Sequence, residues 1–156
     1  MKKIILPLLL CTLLCGCGGS ETDSAVQDQY GAVETARLEA EVTSHTDTDS
    51  RTFTLLCNYD AAGDAVTTVT APRELAGLTA VASGPDMTLS CEGQQLPAGA
   101  SADICAANCL PYLLRALAEG YLLEQGSEML EDAACLRLTL DTTGAAGGKV
   151  LCAVWL

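Results

Sequence analysis

The chain has 156 residues, 49% of them hydrophobic, and a formal net charge of −12. That is the length of one domain, with enough apolar side chains to bury a core. An acidic body is repelled by nucleic acid and by anionic lipid, so the charge argues against a DNA or RNA partner and offers no basic patch to hold a membrane.

The N-terminal stretch carries the clearest signal. Lys2 and Lys3 precede an apolar run from Ile4 to Leu14, and Cys15-Gly16-Cys17-Gly18-Gly19 follows. A short basic start with a short apolar core is an export signal. The core falls short of the roughly 20 apolar residues that a bilayer span needs. Leu14-Cys15-Gly16-Cys17 resembles a bacterial lipobox, with an apolar residue three before the cysteine and a small one directly before it. Cys11 and Cys15 each follow a leucine, which crowds a peptidase that prefers a small residue; Cys17 follows Gly16. The resemblance implies cleavage after Gly16 and a diacylglyceryl lipid on Cys17, with no other cofactor. One acyl chain anchors a protein only marginally, whereas two hold it stably. The expected address is therefore the outer face of the cell membrane, reached through the lipid. Cleavage removes Lys2 and Lys3 and leaves 140 residues at a charge of −14.

Residues 17–33 read as the lipidated cysteine, a polar tether over Ser20 to Asp28, and a weak helix over Ser24 to Val33. Val26, Tyr30 and Val33 sit at helical spacing there, and Gly31 weakens the helix. The folded domain is expected over residues 34–156. Ala36, Leu38, Ala40 and Val42 alternate with Arg37, Glu39, Glu41 and Thr43, a half-buried strand with one solvated face. Phe53, Leu55, Cys57 and Tyr59 share a face of the next strand. Asp60 to Asp64 is a hairpin loop, and Val66 to Thr70 returns antiparallel. Pro72 to Gly77 reads as one helical turn, with proline at its start and glycine at its end. Leu78–Ala82 and Met87–Cys91 are short strands joined by a Gly84-Pro85-Asp86 turn, and Glu92-Gly93 turns into Gln94 to Leu96.

One helix is well marked. Asn108 is placed to cap it, Pro111 sits in its first turn, and Gly120 stops it. Leu110, Leu113, Leu114 and Leu117 form its apolar stripe. Tyr121–Glu124 and Glu128–Leu130 read as two short strands. Ala134, Leu136, Leu138 and Leu140 then point one way, and Cys135, Arg137 and Thr139 the other. After a loose loop from Asp141 to Gly148, Val150 to Leu156 is apolar on both faces and expects cover on both. The fold class read from this pattern is α+β: a curved antiparallel sheet, an incomplete half-barrel, packed on one inserted helix.

This order of elements, with Pro72-Arg73-Glu74-Leu75-Ala76-Gly77-Leu78 after Val66-Thr67-Thr68-Val69-Thr70, resembles the LolA-like lipoprotein-carrier fold (the lipoprotein-sorting type). The version it resembles is that of anchored lipoproteins of Gram-positive bacteria, some of them sporulation and spore-germination proteins. Cys135-Leu136-Arg137-Leu138 before Val154-Trp155-Leu156 is the second local likeness. The resemblance spans about Ala36 to Leu156 and includes no catalytic signature. It implies a curved sheet wrapped round helices, whose concave apolar face binds acyl chains in carrier members. Relatives usually continue into further strands, so it also implies that this chain is C-terminally truncated or that something else pairs with its last strand.

Six cysteines lie beyond the signal region: Cys57, Cys91, Cys105, Cys109, Cys135 and Cys152. Export makes disulfides one reading, with 15 possible full pairings for six cysteines. Free buried thiols, in an anaerobic host, are the other. Cys105 and Cys109 are the sharpest pair. They read as small buried residues at the helix start, as a disulfide or redox pair, or as metal ligands. A pairing of Cys135 with Cys152 would follow if the last two strands form a hairpin. His45, the single histidine, has no second histidine with which to bind a metal. Asp47, Asp49, Asp60, Asp64, Glu128, Glu131 and Asp132 lack the spacing of a calcium loop. Ser101 and Ser127 have no base, and Gly144 to Lys149 lacks the spacing of a phosphate loop. No catalytic residue and no metal site is expected.

The leading functional expectation is a non-catalytic, membrane-anchored extracytoplasmic lipoprotein. Its concave face, carrying Phe53, Leu55 and Leu89, packs on the stripe Leu110, Leu113, Leu114 and Leu117 and admits an acyl chain. The alternative is an envelope or sporulation/germination lipoprotein whose protein partner pairs with the C-terminal strand. A third is a thiol-redox protein using Cys105 and Cys109. The anchor is testable first: radiolabelled palmitate is expected to mark the wild-type chain and not the Cys17→Ser variant.

Overall fold

The computed structural model describes residues 21–84, 86–100, 104–142 and 150–156. Leu14, Gly16, Cys17, Pro85, Ser101 and most of the Asp141–Lys149 loop lie outside the described residues. Among the described residues, two helices and nine strands follow in order: α1 (Glu21–Gly31), β1 (Thr35–His45), β2 (Ser50–Asp60), β3 (Ala65–Ala71), β4 (Thr79–Ser83), β5 (Asp86–Cys91), β6 (Gln94–Ala100), α2 (Cys109–Glu119), β7 (Tyr121–Leu130), β8 (Ala133–Asp141) and β9 (Leu151–Trp155).

The alternation of β1 places Leu38, Ala40 and Val42 inward and Arg37, Glu39 and Glu41 outward, as its half-buried and exposed positions show. It pairs with β2 over its whole length, from Thr35 opposite Asp60 to His45 opposite Ser50. The turn between them is held by Thr46, whose backbone N–H donates to the Asp49 carbonyl at 2.8 Å. The Asp49 carboxylate accepts from the Ser50 N–H at 2.9 Å and from Arg51 Nε at 2.7 Å. Asp60 folds the next loop by accepting from the Ala62 N–H. Pro72 to Leu78 makes consecutive three-residue turns, and the Gly77 N–H returns to the Val69 carbonyl at 2.9 Å. Gly77 has a φ of 92°, a conformation that favours glycine.

The fold is α+β and mostly antiparallel, and its sheets are open. It departs from the single-sheet expectation. There are two sheets, a six-stranded meander β1-β2-β3-β4-β5-β6 and a three-stranded β7-β8-β9. The chain leaves β6 to build α2 and returns as β7, which pairs with β8 alone, so the ladder does not continue across the helix. The two short strands expected between Tyr121 and Leu130 are one strand, β7, which pairs on through Gly126. A register shift near Leu123 absorbs the change of face between its two halves.

The second departure is α1. The sequence predicts a tether over Ser20 to Asp28 with a weak helix over Ser24 to Val33; the helix occupies Glu21–Gly31, taking in most of the tether, and packs on α2. Its sequence is weakly amphipathic, so tertiary contact rather than propensity holds it. Val26 and Tyr30 pack against a core of Ala116, Leu117, Leu138, Leu140 and Val154. The Gln27 amide donates to the Gly120 carbonyl at 2.7 Å. Both helices therefore contribute to the cover of the small sheet.

A second core lies under the large sheet: Leu55, Cys57, Val69 and Leu110, with Leu38, Ala40, Val42 and Phe53 packed round it. Leu55 and Leu140 are 0% and 1% exposed, at the centre of their respective cores. Truncating either to alanine is expected to cost about 2–5 kcal/mol in urea denaturation. Leu96→Ala, at a position 65% exposed, is expected to change stability by no more than about 0.5 kcal/mol.

Candidate functional site

The site is built on α2, because that helix touches both sheets. Pro111 lies in its first turn, where no intrahelical N–H is needed. Asn108 does not cap it in the expected way. Its side-chain oxygen accepts from the Cys105 N–H at 2.8 Å, closing the preceding turn, and its carbonyl accepts the first helical bond from Tyr112. At the other end, the Gly120 N–H donates to the Ala116 carbonyl at 2.8 Å. A Cβ at Gly120 would collide with that same carbonyl oxygen, so glycine is required there by close approach.

Between β1, α2 and the start of β9 runs an apolar groove of about 360 Å³. Ala40 and Val42 form one wall and Leu151 and Cys152 the other, while Cys109, Leu110 and Leu113 line the floor. Among the described residues, Glu41 is the one charged side chain that borders it. Tyr112 fixes the floor to the far wall. Its hydroxyl donates to the Thr142 hydroxyl, which in turn donates to the Val150 carbonyl at 3.1 Å. The Thr142 N–H donates to the same carbonyl at 3.0 Å. Thr142 is 3% exposed, so this relay satisfies a polar group that burial would otherwise penalise.

The groove is not the concave face expected from the sequence. Leu55, Leu114 and Leu117 are buried, filling core rather than lining an open face. Phe53 borders a polar depression beside the β1–β2 turn, with Ser44, Thr46, Asp49 and Arg51. Leu89 lies in a third place, with Leu78 and Leu96 at the far side of the large sheet. Of the expected residues, only Leu110 and Leu113 reach the groove. Ala40, Val42, Tyr112, Leu151 and Cys152 were missed as site residues. Their signal was present in part, as the inward face of β1 and the two-sided apolar character of β9.

All six described cysteines are free. Cys105 is exposed, in the turn before α2, and Cys109 opens the helix half-buried. The Cys109 thiol donates to the Ala106 carbonyl at 3.3 Å. Burial, and then the neighbouring Cys105, push its pKa up to about 11. An activated thiol needs the opposite shift. Burial also raises Cys57 and Cys152. β8 and β9 do pair, but Cys152 lies opposite Leu140, five positions along from Cys135. At about 3.3 Å per residue that separation is far beyond disulfide reach.

His45 is exposed at the end of β1. Asp49 is held below the usual carboxylate range, first by its bond from Arg51. Among the described residues, no three His, Cys, Asp or Glu side chains converge as a metal site, and no helix is long and apolar enough to cross a membrane. On the outer face of the small sheet, Arg137 bridges Glu124 at 3.3 Å and Glu128 at 3.6 Å, and lies 5.9 Å from the Trp155 ring centroid. The Trp155 indole N–H donates to Glu128 at 2.9 Å.

No protein-family model matches the chain, and no curated protein matches it in sequence. Two solved structures are similar to it. One is a LolA superfamily protein from Nitrosomonas europaea, at 14% identity and a TM-score of 0.46, over 85% of this chain. The match spans 66% of that protein's length, just under two thirds. The other is from a structure of the CwlD amidase of Clostridioides difficile in complex with the GerS lipoprotein. It has 11% identity and a TM-score of 0.30, over 90% of this chain and 94% of that one. At these scores neither likeness decides a family, a ligand or a partner.

The thiols give a pH test. Alkylation at pH 8 is expected to modify Cys91 and Cys105, which are exposed, before Cys57, Cys109 and Cys152. The Cys109 rate is expected to rise until the pH approaches its pKa of about 11. The unfolded thiol ionises nearer its ordinary value of 9.0, so the shift predicts stability falling as pH rises from there through the folded pKa.

Proposed function

We propose that the protein is a lipid-anchored, non-catalytic binding protein with a LolA-like domain, displayed on the outer face of the cell membrane, and that its groove takes an apolar chain such as an acyl chain. The observation that carries this reading is the groove itself. Its volume of about 360 Å³ falls within the ~300–1,000 Å³ of small-ligand sites. Its walls are aliphatic apart from the thiols, the Tyr112 ring and Glu41. Such a lining offers contact and desolvation to a slender hydrocarbon and no group to do chemistry on it.

The location rests on the export signal and the lipobox-like Leu14-Cys15-Gly16-Cys17. Only Gly18, Gly19 and Ser20 separate Cys17 from α1. At most about 3.5 Å per residue, those four steps keep the start of α1 within roughly 14 Å of Cys17. A ligand leaving the bilayer would have a short path to the domain.

A second reading has an independent observation in its favour. β9 is an outer strand of the small sheet with no charged residue and no proline. An envelope protein that binds another protein through that edge would use it.

The first reading predicts that the Cys17→Ser variant, which has no anchor of its own, retains a co-purifying apolar ligand in native mass spectrometry. It also predicts that Leu151→Glu, which puts a carboxylate at a groove residue already 55% exposed, weakens binding of a fluorescent fatty acid by about tenfold. No bound ligand, together with unchanged fatty-acid binding in Leu151→Glu, would overturn it.

A further inference from the structure

Among the described residues, four strands have an open side: β1 and β6 in the large sheet, β7 and β9 in the small one. Open edges invite pairing with other chains, and proteins blunt them with charge, proline or bulges. β1 carries Arg37, Glu39 and Glu41 on its exposed positions. β6 carries Pro97 and a Gly99 at φ 79°. β7 carries Glu124 and Glu128 and has a register shift near Leu123. β9, Leu-Cys-Ala-Val-Trp, has none of these devices.

The register identifies which groups it leaves open. Leu136 and Leu156 exchange both backbone hydrogen bonds, each at 2.9 Å, and the Thr142 N–H donates to Val150. Hydrogen-bonded pairs alternate along an antiparallel ladder, so Val154 and Cys152, opposite Leu138 and Leu140, also face β8. Leu151, Ala153 and Trp155 therefore turn their N–H and C=O groups to the open side. The same parity holds for β1, where Thr46 bonds to Asp49 and Glu34 accepts from Ala61, leaving Glu39 and Glu41 facing its open side. Leu151 and Glu41 both border the groove.

We infer that β9 is a strand acceptor: an extended segment of a separate, basic protein pairs with Leu151, Ala153 and Trp155 and lays its inward side chains into the groove. This rests on the second reading of function, and names the partner it requires. The charge selects a basic segment. The mature chain is at −14, so a second copy is repelled. Lysines on the outward face of an incoming strand would lie within reach of Glu39 and Glu41, while alternate apolar residues meet Ala40, Val42 and Leu113.

The test uses the full chain in lipid nanodiscs and a ten-residue peptide alternating valine and lysine, with a valine–glutamate peptide as control. The lysine peptide is expected to bind, more weakly at high salt, and to slow hydrogen exchange at Leu151, Ala153 and Trp155. Ala153→Pro removes an open-side N–H without touching a bond to β8, and is expected to cut affinity by about tenfold or more. Unchanged exchange at those three amides, equal binding of the two peptides, or full binding by a folded Ala153→Pro variant would overturn the proposal. So would a stable homodimer lost in Ala153→Pro, or a reading frame that continues past Leu156 into a strand paired with β9. Fatty-acid binding measured in parallel separates the two readings: peptide binding can fail while the fatty acid still binds.

Discussion

Everything in this fold turns on one helix serving two sheets. α2 is eleven residues long, and its stripe is divided along its length. Leu110, at its start, closes the core of the large sheet, while Ala116 and Leu117, near its end, close that of the small one. A helix stripe wide enough for one sheet is thus shared by two. Neither sheet is covered completely, and the space left between them beside the first turn of the helix is the groove. The apolar cavity is a consequence of this sharing.

The same constraint explains α1. A short helix with little amphipathic character is marginal alone in water. It is held because the small sheet, with only three strands and part of one helix, needs more apolar cover. Val26 and Tyr30 supply that cover, and Gln27 bonds the carbonyl at the end of α2. The domain therefore begins four residues after Cys17, the expected site of the anchor. The Tyr112–Thr142–Val150 relay completes the arrangement by tying the helix to the start of β9.

The thiols follow the packing. Cys57, Cys109 and Cys152 occupy apolar positions where a small hydrophobe fits, and desolvation is the largest influence on each. Burial favours the neutral thiol. They are packed as small hydrophobes, and the Cys135–Cys152 pairing that a hairpin invited is prevented by register alone. The polar outer face of the small sheet, with Arg137 between Glu124, Glu128 and Trp155, is already satisfied by its own partners.

Local information determined much of this protein. Alternation in Ala36 to Thr43 and in Ala134 to Leu140 marked β1 and β8, turn residues marked the hairpins, and the Leu110–Leu117 stripe with Gly120 marked α2 and its end. These are patterns of neighbouring residues, and burial on one face imposes them wherever the strand or helix lies. The lipobox-like segment is likewise a linear pattern, read without a fold. Only the tertiary structure decided that the ladder breaks at α2, that Leu55 is filled core while Ala40 lines a groove, and that Leu89 lies apart from both. An apolar residue has the same periodicity whether its face is fully or half covered; which of the two obtains depends on how far one helix reaches across two sheets, a distance that no local spacing encodes.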